Sequence, residues 1–229
     1  MEELSRLRML IGKEKVDLLQ GKRVIVFGIG GVGGFTCEAL ARCGIGTIDL
    51  VDNDTVSLSN INRQIIALHS TVGRYKTEVM KERIYDINPN ISVNIHNTFV
   101  TKENINQFDF TKYDYVVDAI DSVPAKVELA FECERVGTPI IASMGTGNKL
   151  NPLDFKVADI YKTSACPLAR VMREKLRKRG VKKLKVVYST EIPTVMEKSN
   201  EHYVPASCAF TPSVAGFILA SEIIKDLIK

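Results

Sequence analysis

The chain has 229 residues, is 45% hydrophobic and 25% charged, and carries a formal net charge of +4 at pH 7. That length suffices for one well-buried α/β domain with an appended part, and no apolar run reaches the roughly 18–20 residues of a membrane helix. The charged start, MEELSRLRMLIGKEK, lacks the apolar core of a secretory leader, which predicts a cytoplasmic protein.

Residues 1–20 read as helical, with apolar positions at Leu4, Leu7, Met9, Leu10, Ile11, Val16, Leu18 and Leu19, and with Arg6 and Arg8 between them. A β-branched run at 24–27 predicts a buried parallel strand. Gly28, Gly30, Gly31, Gly33 and Gly34 follow, then a helix over 35–42 and a second apolar run over 47–51 that ends on Asp52. Glycines at a strand-to-helix turn let backbone amides approach a phosphate, and an acid about twenty residues on accepts from ribose hydroxyls. The spacing therefore predicts a nucleotide site on Gly28, Gly30, Gly31, Gly33 and Asp52. A nicotinamide enzyme needs nothing further for its pyrophosphate. Here Asn60, Arg63 and Gln64 follow in a short loop, and Lys76 lies beyond. A guanidinium and an ammonium beside a nucleotide suit a triphosphate whose leaving pyrophosphate must be stabilised.

Farther along, 76–87 is amphipathic and stops at Asn88-Pro89. Ile91, Val93 and Ile95 alternate as a strand, 101–108 reads as a short helix capped by Thr101, and 115–119 reads as another buried strand running into Asp118 and Asp121. A carboxylate at the end of a parallel strand sits where open α/β sheets bind ligands. A helix over 125–135 and a strand over 139–143 precede a second glycine-containing turn at 144–147. In the last third, 155–160 and 184–188 read as strands, 167–179 as a basic helix and 198–206 as a mobile loop. The final helix is expected to start with Thr211 as cap and Pro212 at its first position. Strands alternating with helices predict a doubly wound, Rossmann-like, mostly parallel α/β sheet with an irregular α+β C-terminal part.

Nine Lys or Arg against one Glu fall in residues 170–185, from Arg170 to Lys185, so the local net charge is +8 and the rest of the chain carries −4. Such a run is either a solvated helix face or the footprint of a polyanion. The five cysteines are odd in number and never spaced C-x-x-C, which suggests neither a disulfide framework nor a zinc site. Cys37, Cys43 and Cys133 fall in helical segments as small core residues. Without a His-paired or metal-like spacing, Cys208 reads as a bystander thiol, the alternative being that it, or Cys166, is reactive, with Cys208 near the 198–206 segment able to accept an acyl group or persulfide. His69, His96 and His202 have no partner legible in the sequence.

GIGGVG, VDNDTVSLSNINRQ with its DxDxVxxSNxxRQ signature, and VGRYKTE resemble the ThiF-type adenylating enzymes related to ubiquitin-activating enzyme, over about residue 6 to the C-terminus. The resemblance implies a single adenylation domain: an N-terminal arm over 1–20, a nucleotide-binding core over 21–147, and a substrate- and dimer-contacting part over 148–229. It implies ATP and Mg2+ as cofactors. Lys76 and Arg63 would act on the triphosphate, Asn60 and Gln64 would orient the phosphates, and Asp121 would hold the metal and the reacting carboxylate. Arg6, with Arg8 as second choice, would reach the site of a partner subunit in a homodimer. Within that family, DAIDSVPAK and DIYKTSACPLARVMREKLRKRG are most similar to the group that dehydrates threonylcarbamoyladenosine in tRNA, with the basic segment 170–185 facing tRNA. Activation of a ubiquitin-like sulfur carrier at its C-terminal glycine is the alternative. A sulfur-transfer protein is a further partner the family implies.

Overall fold

A computed structural model describes residues 2–194 and 205–229. Residues 198–204 of the expected loop, with His202, lie outside the described residues. The N-terminal arm is two helices where one is expected, α1 (Ser5–Ile11) and α2 (Lys13–Gln20). They are separated by Gly12 at φ +87°, a conformation that ends the α-helical hydrogen-bond run. Leu4, Val16 and Leu19 are buried, whereas Met9, Leu10 and Leu18 remain exposed.

Seven strands form one sheet in the order β3-β2-β1-β4-β5-β7-β6. They are β1 (Arg23–Phe27), β2 (Thr47–Val51), β3 (Ser92–His96), β4 (Tyr115–Asp118), β5 (Ile140–Ser143), β6 (Phe155–Asp159) and β7 (Lys185–Ser189). All pair in parallel except β6, which runs antiparallel to β7 at one edge. The central strands are apolar almost throughout because helices cover both faces. On one face, Val24, Val26, Ile48, Leu50 and Val117 pack against α2, α3 (Gly33–Arg42), α4 (Lys76–Ile87) and α7 (Phe210–Leu227). On the other, Ile25, Phe27 and Val116 meet Leu129 of α5 (Val123–Val136), while Ala142 and Val186 meet Met172 and Leu176 of α6 (Pro167–Arg179). The chain winds outward in both directions from β1 and β4. The crevice at their C-terminal ends is therefore the topological switch point of the sheet, where such folds bind ligands.

Of the boundaries that differ from expectation, three have a physical reason in the contacts around them. Helix α3 begins at Gly33, two residues early, because the glycine turn itself supplies its first turn. The expected helix over 101–108 shrinks to a 3-10 turn at Ile105–Gln107. There Asn104 Oδ1 accepts from the Thr101 N–H at 2.8 Å and Thr101 Oγ1 accepts from the Glu103 N–H at 3.2 Å, and such local bonds compete with the helix. Helix α7 starts at Phe210 after Ala209, so Thr211 and Pro212 lie inside its first turn, where a missing N–H costs no helical bond. The Thr211 hydroxyl donates across to the Thr146 carbonyl at 3.3 Å and does not cap the helix.

Candidate nucleotide site at the switch point

The turn after β1 is built by close backbone packing. Gly28 has φ +87°, and a Cβ there would lie 2.7 Å from the Ala119 carbonyl oxygen, because the chain leaving β4 crosses directly over it. A Cβ at Gly33 would lie 1.8 Å from the Gly28 oxygen, so only glycine lets α3 start this close to the turn. Gly30 differs: an added Cβ would meet nothing nearer than Gln64 Nε2 at 3.8 Å. Gly31 faces the Arg63 carbonyl and Pro212 of α7 at 3.3–3.4 Å. Two glycines thus serve packing, and one leaves open space beside the start of a helix. Asp52 ties this turn to the exit of β2. Its Oδ2 accepts from the Ile29 N–H at 2.6 Å and its Oδ1 from the Asp54 N–H at 2.9 Å. A carboxylate offers about four lone-pair sites, so acceptor capacity remains for a ribose hydroxyl.

The loop from Asp52 to Lys76 returns from the end of β2 to the start of α4 and sets Gln64 and the Arg63 carbonyl against the glycine turn. Lys76 opens α4 and is 6% exposed, with its ammonium 2.6 Å from an Asp54 carboxylate oxygen. The Lys76 N–H also donates to the Asp54 carbonyl at 3.1 Å. The sequence reading assigned Asp54 no role, although the D-x-D spacing of VDNDTV carries the signal. Asn60 uses its Oδ1 to accept from the Ser57 N–H at 3.1 Å, which closes a capping box on its own 3-10 turn. Its amide nitrogen is what it can offer a phosphate. Arg63 Nη1 donates to the Ser59 carbonyl at 2.9 Å and to Asn62 Oδ1 at 3.0 Å. Gln64 is 7% exposed, and its Oε1 is buried without a hydrogen-bond partner among the described residues. An orphaned amide oxygen beside the open Gly30 is the kind of group a bound ligand satisfies.

Asp121 is exposed in the loop between β4 and α5. Among the described residues no three His, Cys, Asp or Glu side chains cluster as a metal site. A magnesium ion here would rest on one carboxylate, water and phosphate oxygens, an arrangement Mg2+ accepts. Asp118 is wholly buried and does not cap α5, whose cap position is Ser122. Instead it pairs with the equally buried Lys126 at 2.9 Å. Burial pushes the Asp118 carboxyl up, and the lysine draws it partly back.

The structure does not bring Arg6 or Arg8 to this crevice. Leu4 packs on Gly44 and shares a cleft with Ala41 and Arg42, at the C-terminal end of α3, whereas the glycine turn lies at its N-terminal end. Ten helical residues, about 15 Å, separate the two ends. The basic segment is also partly spent within the fold. Arg179 pairs with Glu128 at 3.1 Å, Lys178 with Glu174 at 2.7 Å, and Lys185 with Glu222 at 2.7 Å and Asp226 at 2.9 Å. Arg173 donates to Thr163, and Arg177 stacks over Tyr161. Arg170, Lys175, Lys182 and Lys183 are exposed and stand outside these pairs. Helix α6 starts beside Gly145, so Arg170 is nearest the crevice, and Lys182 and Lys183 are a helix length, about 20 Å, away. Cys208 Sγ lies 3.2 Å from Thr211 Oγ1; burial would raise its pKa, but bonds from Thr211 and nearby backbone bring it below that of an ordinary thiol. Cys166 is buried at the start of α6. No helix among the described residues is long and apolar enough to cross a membrane.

A doubly wound sheet with an open glycine turn at its switch point, an acid beyond the next strand and a buried lysine facing the same crevice defines a nucleotide-binding α/β protein. Comparison with known proteins narrows the class: residues 4–229 match the ThiF family, and the chain belongs to it. It is similar to the tRNA threonylcarbamoyladenosine dehydratase of Bacillus subtilis, 44% identical over 243 residues that span 100% of this chain and 96% of the relative. Among solved structures it is similar to Escherichia coli tRNA N6-threonylcarbamoyladenosine dehydratase in complex with AMP, with TM-score 0.92, 35% identity, and coverage of 99% of this chain and 94% of that one. The ATP complex of the same Escherichia coli enzyme gives TM-score 0.92 and 35% identity over the same shares.

Proposed function

We propose that this protein is an ATP-dependent dehydratase that adenylates the threonyl carboxylate of threonylcarbamoyladenosine in tRNA. The observation that carries the reading is the switch-point crevice. The clearance at Gly30, the orphaned Gln64 oxygen and the Lys76–Asp54 pair support a triphosphate site at the start of α3. End-to-end similarity to a dehydratase of that substrate supports the choice of carboxylate.

Adenylation asks little covalent help of a protein. A carboxylate oxygen attacks the α-phosphorus and the bond to pyrophosphate breaks. Asp52 holds the ribose, and the amides of the glycine turn and the α3 N-terminus receive phosphate oxygens. Lys76 and Arg63 neutralise the charge that moves onto the leaving pyrophosphate. Asn60 and Gln64 orient the phosphates, and Asp121 would hold Mg2+, which supplies further neutralisation when bound. In the second half, a nucleophilic atom of the same threonylcarbamoyl substituent attacks the acyl carbon and AMP departs with one carboxylate oxygen. The net change is loss of one water, and no protein nucleophile is needed, so Cys166 and Cys208 have no covalent task. Arg6, or failing it Arg8, completes the site from a second subunit, since the arm of one chain lies at the far end of its own α3. Arg170, Lys175, Lys182 and Lys183 meet tRNA phosphates.

The test is AMP release with ATP and magnesium, comparing tRNA that carries the threonylcarbamoyl modification with tRNA that lacks it. Release that requires the modified tRNA, with a product lighter by one water, is expected. Release that instead requires a carrier protein ending in Gly-Gly would overturn the reading in favour of carrier activation.

A further inference from the structure

We infer that Lys126 is a positioning residue for Asp121, acting through the backbone of Ile120. The inference rests on the reading of Asp121 as the magnesium-holding carboxylate. Lys126 is the fourth residue of α5 and is 0% exposed. Its ammonium donates to Asp118 Oδ1 at 2.9 Å and to the Ile120 carbonyl at 3.1 Å. The same Asp118 oxygen accepts from the Ile120 N–H at 3.4 Å. One buried ion pair therefore holds both backbone polar groups of Ile120. On the other side of the loop, the Ala119 N–H donates to the Phe27 carbonyl at 2.8 Å, and the Ala119–Ile120 peptide presses on Gly28. The chain is fixed from β1, β4 and α5 at once, and Asp121 is the next residue, exposed over the crevice.

The pair is poorly arranged for stability alone. Asp118 Oδ2 is buried with no partner among the described residues, and an unbonded oxygen in a dry interior is costly. An apolar pair of similar volume would serve the core as well or better. What the ion pair supplies and an apolar pair cannot is a simultaneous donor and acceptor for Ile120.

The experiment uses two variants and one reference. K126M removes both donations but leaves Asp118 charged and unpaired, so the double variant D118N/K126M, with no unpaired buried charge, is the decisive one. D121N is the reference. Mn2+, a paramagnetic substitute for Mg2+, is titrated into the ATP-bound protein and followed by electron paramagnetic resonance. ATP affinity without metal is measured by calorimetry, and amide exchange is followed at Ile120 and at the core residues Val26 and Val117. The double variant is expected to bind Mn2+ about tenfold more weakly, to keep metal-free ATP affinity within about threefold, and to exchange the Ile120 amide at least tenfold faster while the core amides hold. D121N is expected to weaken Mn2+ similarly without the change at Ile120. If D121N weakens Mn2+ and the double variant does not, the positioning role is wrong and the metal role of Asp121 stands. If D121N leaves Mn2+ affinity unchanged, the metal role falls and this inference falls with it.

Discussion

Asp49, midway along β2, and Asp118, at the end of β4, are both fully buried on the same face of the sheet, yet they are treated in opposite ways. Asp49 accepts from Arg23 Nε at 3.0 Å and Nη2 at 2.9 Å, pairs with His96 Nε2 at 3.2 Å and lies 3.4 Å from the Tyr113 hydroxyl. Burial alone would raise its pKa, but these partners and Asn94 hold it below the usual carboxylate range. Asp118 has one lysine, one unbonded oxygen and a carboxyl that burial pushes upward. A saturated carboxylate within the strand stitches β1, β2 and β3 together. An undersatisfied one at the ligand end of the sheet is tolerated because its lysine also holds a loop. The difference separates polar groups that stabilise a fold from those that aim a neighbour.

The contrast can be broken or sharpened by measurement. Asp49→Ala leaves the Arg23 side chain, 35% exposed, without its carboxylate and opens a gap in the core, and is expected to cost about 1–3 kcal/mol in urea unfolding, without changing the Mn2+ affinity of the folded protein. Equal damage to metal binding at both carboxylates would erase the distinction. The next effect is on pH. A depressed carboxyl contributes stability that is fully present above its unfolded value, about 3.9, and is lost as pH falls through its folded value. Wild type should therefore lose thermal stability more steeply below about pH 4 than Asp49→Asn does, as read by calorimetry at successive pH values. Tyr113→Phe removes the 3.4 Å contact to Asp49 and the hydroxyl's hydrogen bond with Arg23, keeps the ring beneath the Arg23 guanidinium, and should cost about 0.5–1 kcal/mol. A larger loss would mean that the tyrosine is a principal partner of Asp49.

The regular elements were legible wherever local pattern and tertiary demand agree. Strand β2, α4 and α6 have the bounds read for them in the sequence, the first two marked by Asp52 and Asn88-Pro89. The start of α7 was not, because Thr211 bonds to a distant carbonyl, which no local rule can see. The same applies to the site. Gly28, Asp52, Arg63, Gln64 and Lys76 stand close in a spaced signature, and the fold sets Gln64 and the Arg63 carbonyl against the glycine turn, Asp52 on the Ile29 N–H and Lys76 on Asp54. Asp54 lay within that signature, but a lysine's partner 22 residues away needs the strand-to-helix return to be recognised. Lys126 was hidden for a different reason. A lysine among helix residues reads as a surface cation until burial shows otherwise. Charge counting likewise overstated the basic segment, since Glu128, Glu222 and Asp226 come from other elements to meet it.

The order of strands at the far edge has a consequence for synthesis. Among the described residues strand β6 pairs only with β7, yet it precedes β7 in the chain, with α6 between them. About 30 residues must be added after β6 before its partner is complete, which at about 5–20 residues per second is roughly 1.5–6 s on the ribosome. During that interval β6 presents its backbone donors and acceptors to any passing strand. Lys156, charged and exposed within β6, stands guard against such mispairing while the nascent chain waits for β7.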